Sequence, residues 1–335
     1  MRVVERRTVL ERAGTQVHFP FLVESGTGVW YMTYREGPHG VPGGDRVRCV
    51  MSEDSGVSWQ PWAGLDLDSR LRLFCSRLSD GSLISHRYHI DRNADGDWLA
   101  PILRSHDEGA SWILSESPVV DMPYNRECEN HCLWGHIREG RDGELLCGSY
   151  GQTGDTPGAH GRMRYTNGVL VSHDLGETWD FLGAVAAEPS LGNEGPNELD
   201  LLILPDGEML SVFRTGTRDG STMQITRSLD GGRNWSASRG YRTTGVSPQL
   251  ILLQCGAVVC TYGTRDVHAM VLADLGTLAW HEPLLLYEGR GSGYTDLQAL
   301  SPDTFRVVYD ESTFSNRDES GPHRVVRVEI ESSRG

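Results

Sequence analysis

One eight-residue pattern, Ser-x-Asp-x-Gly-x-x-Trp, occurs four times in this chain of 335 residues, at 52–59, 105–112, 172–179 and 228–235. Its aspartates, Asp54, Asp107, Asp174 and Asp230, stand 53, 67 and 56 residues apart. Self-similarity at such a period marks an array of supersecondary units, and each unit has room for four strands and their loops, one blade of a β-propeller. The pattern makes physical sense as a hairpin turn. Ser and Asp side chains tie nearby backbone groups, Gly supplies a positive φ, and Trp buries a large apolar plate beside the turn. The four aspartates therefore read as structural fasteners rather than as groups that act on a substrate.

The spacing resembles the Asp-box, or bacterial neuraminidase repeat, of the sialidase superfamily, and a degraded fifth copy follows at Asp274, Gly276 and Trp280. The resemblance spans nearly the whole chain. It implies an all-β fold, a six-bladed β-propeller of four-stranded antiparallel blades. The strand pattern points the same way. An apolar run at 199–204, the turn Pro205-Asp206-Gly207 and a second run at 209–213 read as a hairpin, and similar openings recur near 19–34, 71–84, 133–150, 249–262 and 297–309. The sixth blade lacks the repeat. Its last strands are expected to combine 324–330 with 3–10, closing residues 1–335 into a single domain.

Thirty-one basic against 46 acidic residues leave a net charge of −15, which disfavours nucleic acid or an anionic membrane as partner. A local arginine cluster could still receive a small anion. No stretch is long and apolar enough to span a membrane, and the first residues carry charges without an apolar core. Seven cysteines form no evident framework. These features predict a cytoplasmic protein with reduced thiols.

Sialidase sites, as the resemblance implies, hold three arginines on the substrate carboxylate, a tyrosine nucleophile paired with a glutamate, and an aspartate acid/base. Tyr294 opens the sixth blade where the nucleophile sits. Glu198 opens the fourth where the partner glutamate sits, with Glu194 a nearby rival. Arg214 and Arg265 match the second and third carboxylate arginines, a role suited to the guanidinium fork. Where the family carries a Phe-Arg-Ile-Pro-like motif, this chain has Val17-His18-Phe19-Pro20, so His18 takes the place of the first arginine. That departure leaves open a different sugar acid or a neutral sugar. Arg35 matches the arginine ending the next strand. The proton donor is either Asp45, by order in the chain, or His39, which follows Arg35-Glu36 closely and titrates near neutrality. In the stretch 126–136, Glu129, His131 or Trp134 is expected to border the substrate pocket. Cys128 and Cys132 with the neighbouring histidines fit no familiar zinc spacing, so no metal is expected. The Gly-rich stretch 148–168, with His160 and Arg162, reads as a long loop over the channel mouth.

Three functions compete on these residues. The first is an exo-acting glycoside hydrolase that removes a terminal, acidic, sialic-acid-like sugar by a retaining Tyr294/Glu198 mechanism without a cofactor; a tyrosine nucleophile is a known exception to the two-carboxylate rule. The second is a carbohydrate lyase or His-dependent hydrolase centred on His18, His39 and His131. The third is a non-catalytic glycan-binding propeller.

Overall fold

A computed structural model describes residues 1–38, 44–63, 71–128, 130–157, 163–186, 188, 191–216, 221–241, 243–313 and 322–332. Among them the regular elements are 26 β-strands and no helix. The fold is all-β and built from four-stranded propeller blades. Innermost strands such as Val17–Glu24, Cys132–Glu139 and Asn197–Ile203 are buried at nearly every position, because both their faces are covered. The strand Ile113–Val120 is largely exposed.

The chain divides into two compact units, Met1–Leu73 with Glu108–Ser111 and Gln249–Gly335, and Phe74–Asp107 with Trp112–Pro248. The first unit holds a sheet running in chain order through Val17–Glu24, Trp30–Glu36, Arg46–Ser52 and Gln60–Pro61. A second sheet runs Thr295–Ala299, Thr304–Glu311, Pro322–Glu331 and then Arg2–Ala13, so the N-terminal strand is the outermost strand of the last sheet. Its register with the C-terminal strand extends from Arg2 opposite Glu331 to Ala13 opposite Pro322. Val9, Leu10, Val17, Leu22, Trp30, Met32, Val308 and Val325 pack as one core here. The guanidinium carbons of Arg306 and Arg327 lie 4.7 and 5.2 Å from the centre of the Trp30 ring, within cation–π range. Strand Val246–Leu252 begins at the unit boundary and leads a five-stranded sheet with Val258–Gly263, Val267–Asp274, Ala279–Trp280 and Leu284–Tyr287.

The second unit holds a four-stranded sheet, Asn197–Ile203, Met209–Arg214, Gln224–Ser228 and Arg239–Gly240, and a nine-stranded one. The larger sheet contains the antiparallel stack that begins at Cys132–Glu139 and ends at Trp179–Ala186. It also contains the stack that ends at Ile113–Val120. The two stacks meet where Val119 and Val120 pair in parallel with Trp179 and Asp180. The strands therefore do not fall into the six separate sheets that the sequence suggests: four sheets stand alone, and two edges join in the fifth. The short parallel ladder satisfies backbone groups that a free edge would leave open.

The repeated turns are locally self-sufficient. Ser52 Oγ donates to Asp54 Oδ1 (2.8 Å) and accepts from the Gly56 amide (2.8 Å), and Asp54 Oδ1 accepts from the Ser58 amide (2.8 Å). The same bonds recur through Ser172, Asp174, Gly176 and Thr178, and through Ser228, Asp230, Gly232 and Asn234. Gly56, Gly109, Gly176 and Gly232 all have φ between 78° and 93°, the conformation the pattern demands of them.

Candidate active site

Several innermost strands open on a backbone kink. Phe19 (φ 52°), Glu198 (φ 40°) and Ser247 (φ 44°) are non-glycine residues in the left-handed region, which costs about 1–2 kcal/mol each. The ladder slips between His18 and Phe21 and between Asn197 and Asp200. Such bulges re-aim a side chain that a regular strand would send elsewhere.

In the second unit the kink at Glu198 turns its carboxylate onto Arg214, the last residue of Met209–Arg214. Arg214 Nη1 lies 3.0 Å from Glu198 Oε1, and its Nη2 lies 2.8 and 3.0 Å from the two oxygens of Glu194. The other Glu198 oxygen accepts the Ser247 amide at 3.0 Å. Glu198 is 5 % exposed, so a fixed, charge-assisted network holds a buried carboxylate in one orientation. Two carboxylates share one guanidinium, which leaves the group with one net negative charge. Tyr150, whose hydroxyl lies 2.7 Å from that of Tyr88, feels the Glu198 charge, and burial above all pushes its phenol well above the usual range. The Tyr165 ring packs edge-on against Tyr150, and the Tyr165 amide donates to the Glu194 carbonyl at 2.9 Å.

His131 is buried, with its ring stacked on Tyr124 and Nε2 2.9 Å from the Asn125 carbonyl oxygen. Burial holds its pKa below the ordinary value, which suits a packed, neutral imidazole. Cys132 Sγ lies 3.9 Å from His89 Nδ1. Among the described residues no group of three or more His, Cys, Asp or Glu is placed to hold a metal ion.

In the first unit Tyr294 is half-buried, and the edge-on Phe19 ring is 4.5 Å from its own. His18 is fully buried, its Nδ1 3.9 Å from Asp310 Oδ2 and its Nε2 3.3 Å from Gln16 Oε1. Arg35 and Asp45 form a bidentate ion pair, Nε to Oδ2 at 2.8 Å and Nη2 to Oδ1 at 3.0 Å. Arg265 is exposed in the turn between Val258–Gly263 and Val267–Asp274, with φ 94°. His39, Glu129, His160 and Arg162 lie outside the described residues.

Sequence reasoning missed three buried aspartates. Asp200 takes Arg138 at 3.0 Å and the His136 amide at 3.2 Å. Asp296 accepts the Leu22 amide at 2.7 Å, and burial raises its pKa to about 7. Asp310 binds Ser292 and Phe19 as well as facing His18. Asp200 interrupts an apolar strand, in Leu199-Asp200-Leu201, and that pattern on a strand covered on both faces is the signal that could have found it.

Comparison with known proteins follows this geometry. A family model described as a BNR repeat-like domain matches residues 96–307. Among solved structures, a protein of unknown function from Dyadobacter fermentans is 22% identical and superposes with a TM-score of 0.75 over 99% of both chains. An alpha-L-arabinanase from Penicillium chrysogenum, complexed with arabinobiose, is 16% identical, with a TM-score of 0.67 over 99% of both chains. A Hadza microbial sialidase is 18% identical, with a TM-score of 0.65 over 94% of this chain and 66% of its own. At these identities the likeness is one of fold. No curated protein sequence matches the chain.

Proposed function

Because the chain belongs to the family of BNR repeat-like domains, we propose that it is a glycoside hydrolase that releases a terminal sugar, and that this sugar is neutral. The observation that carries the substrate reading is the state of the arginines. Arg214 is occupied by Glu194 and Glu198, and Arg35 is held by both oxygens of Asp45. A substrate carboxylate could take either fork only by displacing a carboxylate already there, an exchange of like for like that yields little net affinity. His18, in the place of the family's first arginine, is fully buried beside Asp310 and offers no exposed cation. A neutral furanose or pyranose asks for none of these charges. The arabinanase and the sialidase among the similar structures act, by their names, on sugars of both kinds.

Hydrolysis itself is supported by Glu198, a buried carboxylate fixed by an amide, a guanidinium and a strained backbone, as general acid–base catalysis requires. Tyr294 is assigned as nucleophile and Glu198 as base, with Asp45 and His39 both retained as proton donors. We also read residues 1–335 as one domain.

The test compares release from 4-nitrophenyl α-L-arabinofuranoside, other neutral aryl glycosides and a fluorogenic α-sialoside. The wild type should cleave a neutral glycoside and leave the sialoside intact. Glu198→Gln and Tyr294→Phe should each lower kcat/KM by about 10²–10⁴-fold, the usual weight of a positioned acid–base or nucleophilic group. Cleavage of the sialoside in preference to every neutral glycoside would reject the neutral-sugar reading. No release from any of them would reject hydrolysis.

A further inference from the structure

We propose that Asp310 is the positioning residue for Tyr294: one buried carboxylate fixes both the backbone that carries the phenol and the ring packed against it. The inference rests on the assignment of Tyr294 as nucleophile, and all its parts lie within the first unit. Asp310 ends an apolar run in Thr304–Glu311 and is 1 % exposed. Its Oδ2 accepts the Ser292 amide at 2.8 Å, and its Oδ1 accepts the Ser292 hydroxyl and, at 3.4 Å, the Phe19 amide. Ser292 Oγ in turn accepts the Tyr294 amide at 3.2 Å. The Phe19 ring meets Tyr294 edge-on, at 85° between planes. Two left-handed backbone positions, the strained Phe19 at φ 52° and Gly293 at φ 81°, are thus held by the same side chain.

The neighbours leave the Tyr294 segment little freedom. A Cβ on Gly263 would lie 2.1 Å from the Gly293 carbonyl oxygen, so the two backbones are in contact there. Thr295, the next residue, accepts from Gln249 Nε2 through its carbonyl at 2.5 Å, and its hydroxyl lies 2.8 Å from that of Thr261. Desolvating a carboxylate costs several kcal/mol unless donors surround it. Those around Asp310 are the two groups of Ser292 and the Phe19 amide, with His18 Nδ1 at 3.9 Å. A nucleophilic phenol must sit in line with the anomeric carbon, and a displacement of about 1 Å can cost 10²-fold in rate. A carboxylate that locks both the Tyr294 amide and its ring partner supplies that alignment without touching substrate.

The experiment follows covalent capture of Tyr294 by 2-deoxy-2-fluoro-L-arabinofuranosyl fluoride, read by intact-mass spectrometry, beside equilibrium binding of an arabinose-type iminosugar. Asp310→Asn keeps the shape and removes the charge. It should slow labelling by about 10²-fold while the iminosugar Kd changes by less than about threefold. Ser292→Ala, which cuts the link to the Tyr294 amide and spares the carboxylate, should slow labelling by about tenfold. Labelling of Asp310→Asn at the wild-type rate overturns the proposal. So does a parallel fall in labelling and binding, which would mean general loosening of the fold. If Asp310→Asn does not fold, Ser292→Ala decides alone, and an unchanged rate in it is a refutation. Tyr294→Phe separates the two levels. Full activity in that variant removes the nucleophile assignment and this proposal together, whereas an inactive Tyr294→Phe beside a fully competent Asp310→Asn removes only the positioning role.

Discussion

Removing Arg214 offers the sharpest test of how the Glu198 carboxylate is held. In Arg214→Met the three charged contacts at 2.8 to 3.0 Å disappear, and the two glutamates fare differently. Glu194 has 27% of its side chain exposed, so water replaces the lost partner and that half is worth about 0–1 kcal/mol. Glu198, with 6% of its side chain exposed, keeps only the Ser247 amide among the partners described above, and stripping one member from a buried pair costs about 3–5 kcal/mol. Arg214 is itself 14% exposed, so some water reaches the site, and the lower end, about 3 kcal/mol in all, is the expected loss. The double variant Arg214→Met/Glu198→Gln should recover about 2 kcal/mol of it, because a neutral amide accepts the Ser247 amide without needing a counter-ion. Urea unfolding of the wild type, both single variants and the double variant, read by tryptophan fluorescence and far-UV circular dichroism, measures the coupling. A cost below about 1 kcal/mol for Arg214→Met, or a double variant no more stable than Arg214→Met alone, would refute the reasoning. Activity should not return in the double variant, since the carboxylate is gone.

Further outcomes follow from the turns and the buried histidine. Asp174→Ala deletes bonds to the Thr178 amide (2.9 Å), the Thr178 hydroxyl (2.6 Å) and the Ser172 hydroxyl (2.8 Å), and should lower stability by about 1–2 kcal/mol at this exposed turn; an unchanged urea midpoint would contradict its fastening role. Trp179 is fully buried beside the same turn, so Trp179→Ala should cost about 3–5 kcal/mol, and a loss smaller than that of Asp174→Ala would reverse the ranking. Burial holds the His136 pKa down at about 4, with Arg138 adding to the effect. The unfolded chain then binds its proton first, and the stability His136 lends is complete above about pH 6.5 and falls away as the pH drops towards 4. His136→Gln should flatten the wild type's loss of stability between those values, and parallel pH profiles of the two proteins would exclude His136 as the source.

What the sequence made legible was whatever is decided by neighbours in the chain. The four turns could be read because Ser, Asp, Gly and Trp act within eight residues, and their bonds close inside that window. Arg214 and Glu198 stood out as well, through the resemblance to sialidase sites. Their relation did not. It depends on a backbone kink at Glu198 that aims the side chain at Arg214 and on a Ser247 amide 49 residues away. The same holds for Arg35 with Asp45: order in the chain suggested two separate roles, and the hairpin joins them in one ion pair. Arg265 looked like Arg214 by position, but it stands in an exposed turn with φ 94°, whereas Arg214 ends a strand. The number of sheets was obscured by a two-residue parallel bridge, too short to leave any trace in periodicity.

The pairing of the first strand with the last has a consequence for biosynthesis. Arg2 meets Glu331 across 329 residues of chain, and Trp30, under Arg306 and Arg327, waits for partners from the same late segment. At about 5–20 residues per second, the ribosome keeps Arg2–Ala13 without its hydrogen-bonding neighbour for roughly 15 to 65 seconds. Throughout that interval the strand is an open edge, the kind of surface that recruits another chain. Its own residues blunt the hazard: Arg2, Glu5, Arg6, Arg7, Glu11 and Arg12 put charges along most of its length, and all of these but Arg7 later form the ion pairs to Glu331, Arg327, Glu311, Arg324 and Glu36. The charges that finish the sheet thus also protect the nascent chain until its partner strand has been made.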